Sequence, residues 1–296
     1  LFRMLVGYFM KLVISNRLAI VTDLIYDNYA DCSGYQLLLG TVAYAFQIYC
    51  DFASYSMIAL SAAEILGISL TENFRQPFFA VSCQDLWKRW HISLNAWFRD
   101  YLYFPLGGSR KGKLRKYLNT LIIFTASGLW HGAAWTYILW GLLSGLFQVT
   151  GYILKPAREF LIEKFPFHGK FSDKAHHIGS VLITFGLFLI SLVFFKSSGI
   201  DEAIVIEKKI FTQFDFSTVF STSFFSLGLG TVNFCILLFA LLLLFIYDYL
   251  NERTGDAAGI ILNLEGKKRW AFYYLLTIMI IGSANIGAAQ FIYFEF

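Results

Sequence analysis

The stretch Tyr117–Leu154, "YLNTLIIFTASGLWHGAAWTYILWGLLSGLFQVTGYIL", contains no Asp, Glu, Lys or Arg. A helix needs about 20 apolar residues to cross the hydrocarbon core of a membrane, and this stretch is nearly twice that length. It is long enough for two short spans, or for one span and a re-entrant piece. Its middle, "SGLWHGAAW", contains His131. A titratable imidazole at that depth is costly, which favours a functional histidine over a structural one with satisfied hydrogen bonds.

The composition of the whole chain agrees with a membrane protein. Of 296 residues, 57% are hydrophobic and only 15% are charged, whereas a soluble globular chain averages about 25% charged residues. The net charge of +4 gives no argument for a nucleic-acid partner. Four cysteines are scattered without CxxC spacing and are interpreted as small apolar fillers. The chain opens on Leu1, and we expect the C-terminal part of a longer protein, forming one transmembrane domain over residues 1–296.

Further apolar segments suggest an all-α bundle with roughly six spans in this portion. No internal repeat and no separate soluble domain is apparent. Besides Tyr117–Leu154, the candidate spans are Leu5–Leu24, Leu37–Ala63, Ile178–Phe195, Phe216–Tyr247 and Ala271–Phe294.

Three loops rich in lysine and arginine indicate the orientation, because such loops stay on the cytoplasmic side. They cover residues 110–116, 155–174 and 253–269. All three can be cytoplasmic only if Tyr117–Leu154 enters the membrane and returns, with His131 at the turn. Gly128 and Gly132 are small enough to let the neighbouring helices approach closely.

A second histidine lies in an amphipathic pattern. The periodicity predicts a helix over Gln84–Tyr103, with Asp85 four residues before Arg89 as a favourable ion pair. His91 falls within the apolar stripe of this helix rather than among its charges. A helix lying in the membrane interface explains the tryptophans. It does not explain a histidine that points into the helix bundle, and this favours a functional role for His91 beside His131.

These residues resemble a known family. "RWHISLNAWFRDYLYFPLGGSRKGK" followed by "SGLWHGAAWTYILWGLL" is similar to the membrane-bound O-acyltransferases, and "IYCDFASYS", "ENFRQPFF" and "FIYFEF" fit the same pattern. The bacterial branch acylates alginate, peptidoglycan and lipoteichoic acid, and its members are usually longer at the N-terminus. The resemblance implies a multi-span bundle with a central tunnel, a catalytic His131 and a second functional histidine at His91.

The resemblance also predicts the chemistry. A neutral, buried histidine suits proton abstraction from an acceptor hydroxyl, and donors for the developing oxyanion could come from a tryptophan N–H, Asn95 or His91. The residues expected to line the substrate tunnel are Asp51, Trp87, Arg89, Trp90, Asn95, Arg99, Trp130 and Trp135. Ser144, where relatives often carry a histidine, is expected to bond a helix carbonyl or to ease helix packing, and to be dispensable.

The basic loop allows two interpretations. Arg110, Lys111 and Lys113 either anchor the loop on anionic lipid or steer the phosphates of a thioester donor toward the tunnel. No metal site is expected, because His168, His176 and His177 have no carboxylate or cysteine at ligand spacing.

The predicted function is transfer of an acyl group to hydroxyls of a cell-envelope polysaccharide, and acetyl is the acyl group we expect. The donor is expected to be a cytoplasmic acyl-CoA or acyl-carrier thioester, with no permanently bound cofactor. A separate extracytoplasmic acyltransferase is the expected partner, and the bacterial cytoplasmic (inner) membrane is the expected location. Two alternatives remain: a transporter or flippase with Asp51, His91 and His131 as a proton relay, or a non-catalytic partner subunit.

Overall fold

A computed structural model describes residues 1–164, 170–215 and 228–285, without the side chains of residues 161–163 and 170–173. Regular structure in these ranges is helical, which confirms the all-α prediction. His168, the terminal "FIYFEF" and parts of the two last predicted spans lie outside the described residues. The helices are α1 Phe2–Phe9, α2 Asn16–Asp27, α3 Gly34–Ile65, α4 Cys83–Arg89, α5 Ile92–Phe98, α6 Lys113–His131, α7 Trp135–Lys164, α8 Lys170–Lys196, α9 Ile200–Thr212, α10 Gly230–Thr254, α11 Ala257–Leu262 and α12 Gly266–Ser283.

Five helical segments among the described residues are long and apolar enough to cross a membrane. Two of them come from the N-terminal part, where a π-helical turn, Met10–Ser15, joins α1 and α2 into one continuous segment. The five segments are Phe2–Asp27, Gly34–Ile65, Trp135–Phe160, Lys174–Lys196 and Gly230–Thr254. These five segments support a multi-span bundle, and α6 and α12, which belong to predicted spans, are not among them.

The chain divides into two compact units, and the first combines residues 1–72 with residues 204–296. Its long helix α3 begins at a capping box, in which the Ser33 hydroxyl accepts from the Gln36 N–H while the Gln36 side chain accepts from the Ser33 N–H. The buried Lys11 on the π-helical turn forms an ion pair with the buried Asp51 of α3. Ser15 donates a further hydrogen bond to Asp51 at 3.1 Å. A buried charge pair is tolerated because each charge has its partner.

The second unit, residues 73–203, is built around a hairpin of α6 and α7. The two helices join through residues 132–134, so His131 is the last residue of α6, at the turn, as predicted. At the other end, the Lys116 ammonium lies 3.4 Å from the centre of the Tyr152 ring. The stretch therefore goes out and comes back, which agrees with placing both flanking basic loops on one side.

Glycines allow α6 and α7 to touch backbone to backbone. A Cβ on Gly128 would lie 2.2 Å from the carbonyl oxygen of Tyr137, and a Cβ on Gly141 would lie 2.2 Å from that of Phe124. Real Cβ atoms do not approach so closely, so neither position admits a larger residue without moving a helix. The prediction that small residues serve close helix contact is confirmed at Gly128.

The predicted continuous helix over Gln84–Tyr103 is wrong. The structure divides this segment into α4, α5 and a π-helical turn, Arg99–Tyr103, with the break at His91, whose backbone is left-handed at φ 46°. The break is stabilised from outside the segment, because the Ile92 N–H donates to the Asn73 carbonyl at 3.0 Å and the Ser93 N–H donates to the Asn73 side chain at 3.2 Å. Helical periodicity could not reveal these partners, which lie some twenty residues earlier in the chain.

Candidate active site

His131 ends α6 inside a cage of aromatic rings. Its side chain is buried, with 6% of the residue exposed. The imidazole meets Trp140 of α7 and Phe195 of α8, each with ring centroids 5.1 Å apart and nearly perpendicular planes. The Trp130 ring centroid lies 4.9 Å from that of His131. Three aromatic rings packed against the imidazole shield it from bulk water and leave it few positions to adopt.

His91 reaches the same place from the break between α4 and α5. A left-handed backbone is uncommon for a residue other than glycine and tends to occur where side-chain direction matters. Here the break turns His91 toward Trp130, whose ring centroid lies 6.1 Å away. Since Trp130 also contacts His131, one indole bridges the two imidazoles. The structure thus brings together the two histidines that the sequence singled out.

Both imidazoles line one narrow, partly open cavity of the second unit. The other lining residues are Trp87, Trp90, Leu94, Asn95, Phe98, Ile123, Phe124, Ser127 and Trp140.

The surroundings keep both imidazoles neutral. They lie outside the five spans, at the end of α6 and at the α4–α5 break. Burial lowers the pKa of His91 from 6.5 to about 4. Burial, and then repulsion from His91, lowers the pKa of His131 from 6.5 to about 3. A neutral imidazole at neutral pH can accept a proton, which is what a general base requires.

The Asn95 side chain stabilises the break between α4 and α5, and its amide hydrogens are not available to a ligand. Its side-chain nitrogen donates to the Trp87 carbonyl at 2.9 Å and to the Trp90 carbonyl at 2.6 Å. These are carbonyls at the end of α4, which otherwise have no helical partner. Because both N–H groups of the amide are engaged, Asn95 has no hydrogen to donate to a developing oxyanion.

Of the other residues expected to line the tunnel, the structure places Trp87 and Trp90 at the cavity and Arg89 and Arg99 away from its lining. Arg89 is ion-paired with Asp85 at 3.0 Å, as predicted from their spacing. Arg99 is exposed and pairs with its neighbour Asp100 at 2.8 Å.

The two tryptophans that flank His131 in sequence are not equivalent. Trp130 is 53% exposed but contacts both histidines along one edge. Trp135 begins α7 on the far side of the turn, is 71% exposed and does not line the cavity. A turn of only three residues separates α6 from α7 and directs the two indoles differently.

Asp51 belongs to the first unit, where its carboxylate is held by Lys11 and Ser15 as described above. Its expected role in a tunnel stays a prediction, and the pair with Lys11 accounts for a buried carboxylate without one. Arg110, Lys111 and Lys113 are exposed, the first two just before α6 and Lys113 as its first residue. Lys113 therefore lies about 27 Å from His131 along the helix axis.

Sequence reasoning missed two residues of the cage and some of the cavity lining. Trp140 and Phe195 contact His131 directly, and Ser127 lines the cavity one turn before it. A signal for Trp140 was present: a hairpin folded at Gly132 brings the first turns of α7 against the last turns of α6. No comparable signal identifies Phe195, because α8 reaches the site from a distant part of the chain.

No group of three or more histidine, cysteine, aspartate or glutamate side chains among the described residues is arranged to hold a metal ion. His176 and His177, the adjacent pair in this part of the chain, are both exposed on α8.

The fold and this histidine site define a class of membrane protein, and comparison with known proteins identifies it. Residues 1–200 match the family model of MBOAT, the membrane-bound O-acyltransferase family. The match covers more than half of the chain and includes both histidines. The chain therefore belongs to the membrane-bound O-acyltransferase family, which confirms the resemblance drawn from its motifs.

Individual relatives point to the bacterial branch of this family. The chain is 35% identical over 208 residues to the peptidoglycan O-acetyltransferase of Helicobacter pylori, an alignment of 70% of this chain and 38% of that protein. It is 42% identical over 144 residues to "Probable alginate O-acetylase AlgI" of Pseudomonas putida, covering 49% of this chain and 30% of that protein. Identity to the teichoic acid D-alanyltransferase of Bacillus subtilis is 37% over 112 residues, or 36% of this chain and 28% of that protein.

The chain thus spans between 28% and 38% of the length of these relatives.

Proposed function

We propose that the protein transfers an acetyl group from a cytoplasmic thioester to a hydroxyl of a cell-envelope polysaccharide, with His131 as the general base. One observation carries the proposal: the buried His131 and the half-buried His91 line one small cavity in the part of the chain that matches the acyltransferase family. An isolated structural histidine would not need a second imidazole beside it.

The reaction begins when the acceptor hydroxyl attacks the carbonyl carbon of the thioester. As the new C–O bond forms, the hydroxyl proton passes to His131, and the carbonyl electron pair moves to oxygen. Collapse of this tetrahedral intermediate re-forms the C=O bond and breaks the C–S bond. The departing thiolate takes the proton back from His131, so the histidine ends as it began.

The cage around His131 acts on both proton transfers. The rings of Trp130, Trp140 and Phe195 shield the site from water, which would otherwise hydrolyse the thioester. Burial disfavours the imidazolium, which makes proton abstraction from the hydroxyl harder and return of the proton to the thiolate easier. His91, separated from His131 by Trp130, is suited to orient the acceptor or to donate a hydrogen bond.

The family and the charge pattern support a choice of donor and location. An acyl-CoA or acyl-carrier thioester fits the exposed basic loop of Arg110, Lys111 and Lys113, since both donors carry phosphate. The bacterial inner membrane and a separate extracytoplasmic acyltransferase partner are proposed by analogy with relatives named for alginate, peptidoglycan and teichoic acid.

Glycan analysis with and without the gene tests the proposal. Envelope polysaccharides from wild-type and deletion cells are treated with mild base, and the released acid is identified by mass spectrometry. We expect an acetate ester to disappear in the deletion strain and to return with the full-length gene, but not with its His131→Ala variant. An unchanged ester content in every envelope polysaccharide would refute acyl transfer, and solute uptake by the protein in proteoliposomes would favour the transporter alternative.

A further inference from the structure

Trp140 lines the active-site cavity, and its indole N–H is a buried hydrogen-bond donor. Trp140 is 4% exposed, and no residue in the described part of the chain accepts a hydrogen bond from its Nε1. A buried donor without an acceptor is unfavourable, and folded proteins keep few of them. A site that binds a ligand can leave such a donor open for an atom of that ligand.

The position of Trp140 limits what this atom can be. The indole stands perpendicular to the His131 ring at 5.1 Å between centroids. Phe195 at 5.0 Å and Trp87 at 5.8 Å between ring centroids also pack against it. The ring is therefore held beside the proposed base and lines the same cavity.

The reaction requires a donor at this place. When the hydroxyl attacks, the carbonyl oxygen becomes negative, and a preorganised N–H in a dry site stabilises that charge. Asn95 cannot serve, because both hydrogens of its amide are engaged by carbonyls at the end of α4.

We propose that Trp140 is a catalytic residue whose indole N–H donates to the oxyanion of the tetrahedral intermediate. This inference rests on the proposed function. In the attacking step the C–O bond forms, the proton moves to His131 and the carbonyl electron pair moves to the oxygen that faces Trp140. In the second step this pair re-forms the C=O bond, and the thiolate leaves with the proton from His131. The indole only donates a hydrogen bond and keeps its own proton throughout.

Ser144 provides a matched control on the same helix face. It lies one helical turn beyond Trp140, is 2% exposed, and its hydroxyl also has no partner among the described residues. Of its two expected roles, the bond to a helix carbonyl is therefore wrong, and easing helix packing stays a prediction. Unlike Trp140, Ser144 does not line the cavity. Comparing variants of Trp140 and Ser144 therefore distinguishes two effects. One is the general effect of removing an unsatisfied polar atom from α7, and the other is a specific effect at the reaction centre.

The test compares Trp140→Phe with Ser144→Ala in the full-length protein. Phenylalanine keeps an aromatic ring in the cage and removes the N–H. Membranes that retain the native glycan receive labelled acetyl-coenzyme A, and label recovered as base-labile ester is normalised to folded protein. We expect Trp140→Phe to lower kcat by about 10²–10³-fold, the usual cost of one oxyanion donor. The KM for acetyl-coenzyme A and the acid limb of the pH profile should stay unchanged. Ser144→Ala should keep most of its activity.

Three results would overturn the inference while leaving acyl transfer intact: a kcat for Trp140→Phe near the wild-type value, a loss expressed only in KM, or an equal loss in Ser144→Ala. A wild-type protein that transfers no label would instead overturn the proposed function, and this inference with it.

Discussion

Acidic pH should leave acyl transfer nearly unchanged, because the proposed base is held far below its ordinary pKa. A histidine of pKa 6.5 is about 90% neutral at pH 7.5 but only about 10% neutral at pH 5.5. An unshifted base would therefore cost about a tenfold loss of kcat/KM over this interval. With the pKa of His131 lowered to about 3 and that of His91 lowered to about 4, both imidazoles stay almost fully neutral at pH 5.5. We expect kcat/KM to change by less than about twofold.

The same lowered pKa values make the folded protein less stable at acidic pH, although they leave the base neutral. The assay must therefore distinguish unfolding from titration of the base. A histidine whose folded-state pKa is depressed contributes stability that is lost as pH falls below its unfolded value of 6.5. At pH 5.5 the loss is roughly 1 kcal/mol for each of His91 and His131. Membranes held at pH 5.5 are therefore returned to pH 7.5 and assayed again, so that unfolding is separated from titration. An acid limb with an apparent pKa near 6.5, in protein that recovers fully, would refute the assignment of a desolvated base.

Three further variants probe the site and its scaffold. His91→Gln should keep part of the transfer activity and His91→Ala should lose most of it, if His91 donates a hydrogen bond; equal losses, measured per folded protein, would contradict this role. Gly141→Ala should lower the amount of folded protein in the membrane, since its Cβ would lie 2.2 Å from the Phe124 carbonyl oxygen, and a wild-type level would refute the close contact. Lys11→Met should cost about 3–5 kcal/mol by leaving the buried Asp51 unpaired; detergent-melting curves should show recovery when Asp51→Asn is added, and no recovery would contradict the ion pair.

The sequence predicted those parts of the molecule that depend on local pattern. The uncharged run Tyr117–Leu154 predicted the paired helices and placed His131 at their turn, because hydropathy and helix length alone limit how such a run folds. Gly128 indicated close helix packing for a similar reason. The ion pair of Asp85 with Arg89 followed from their i,i+4 spacing. Each of these features is decided within a few turns of helix.

The parts that sequence reasoning missed depend on contacts between distant residues. The break at His91 is stabilised by Asn73, and Asn95 caps the carbonyls that the break exposes. Phe195 reaches His131 from α8, more than sixty positions along the chain. A periodic pattern carries no information about such partners, so a single amphipathic helix was the natural prediction for Gln84–Tyr103. The lysine that balances Asp51 was hidden for the same reason.

The most direct test of proton abstraction by His131 is acyl transfer by His131→Gln and His131→Ala, each normalised to the folded protein in the membrane. Glutamine fills much of the imidazole volume and can donate a hydrogen bond, but it cannot accept a proton as a base at neutral pH. We predict that both variants insert and fold, and that both lose about 10²–10⁴-fold in transfer rate. Near-wild-type transfer by His131→Gln would contradict the account and leave the buried histidine with a structural role.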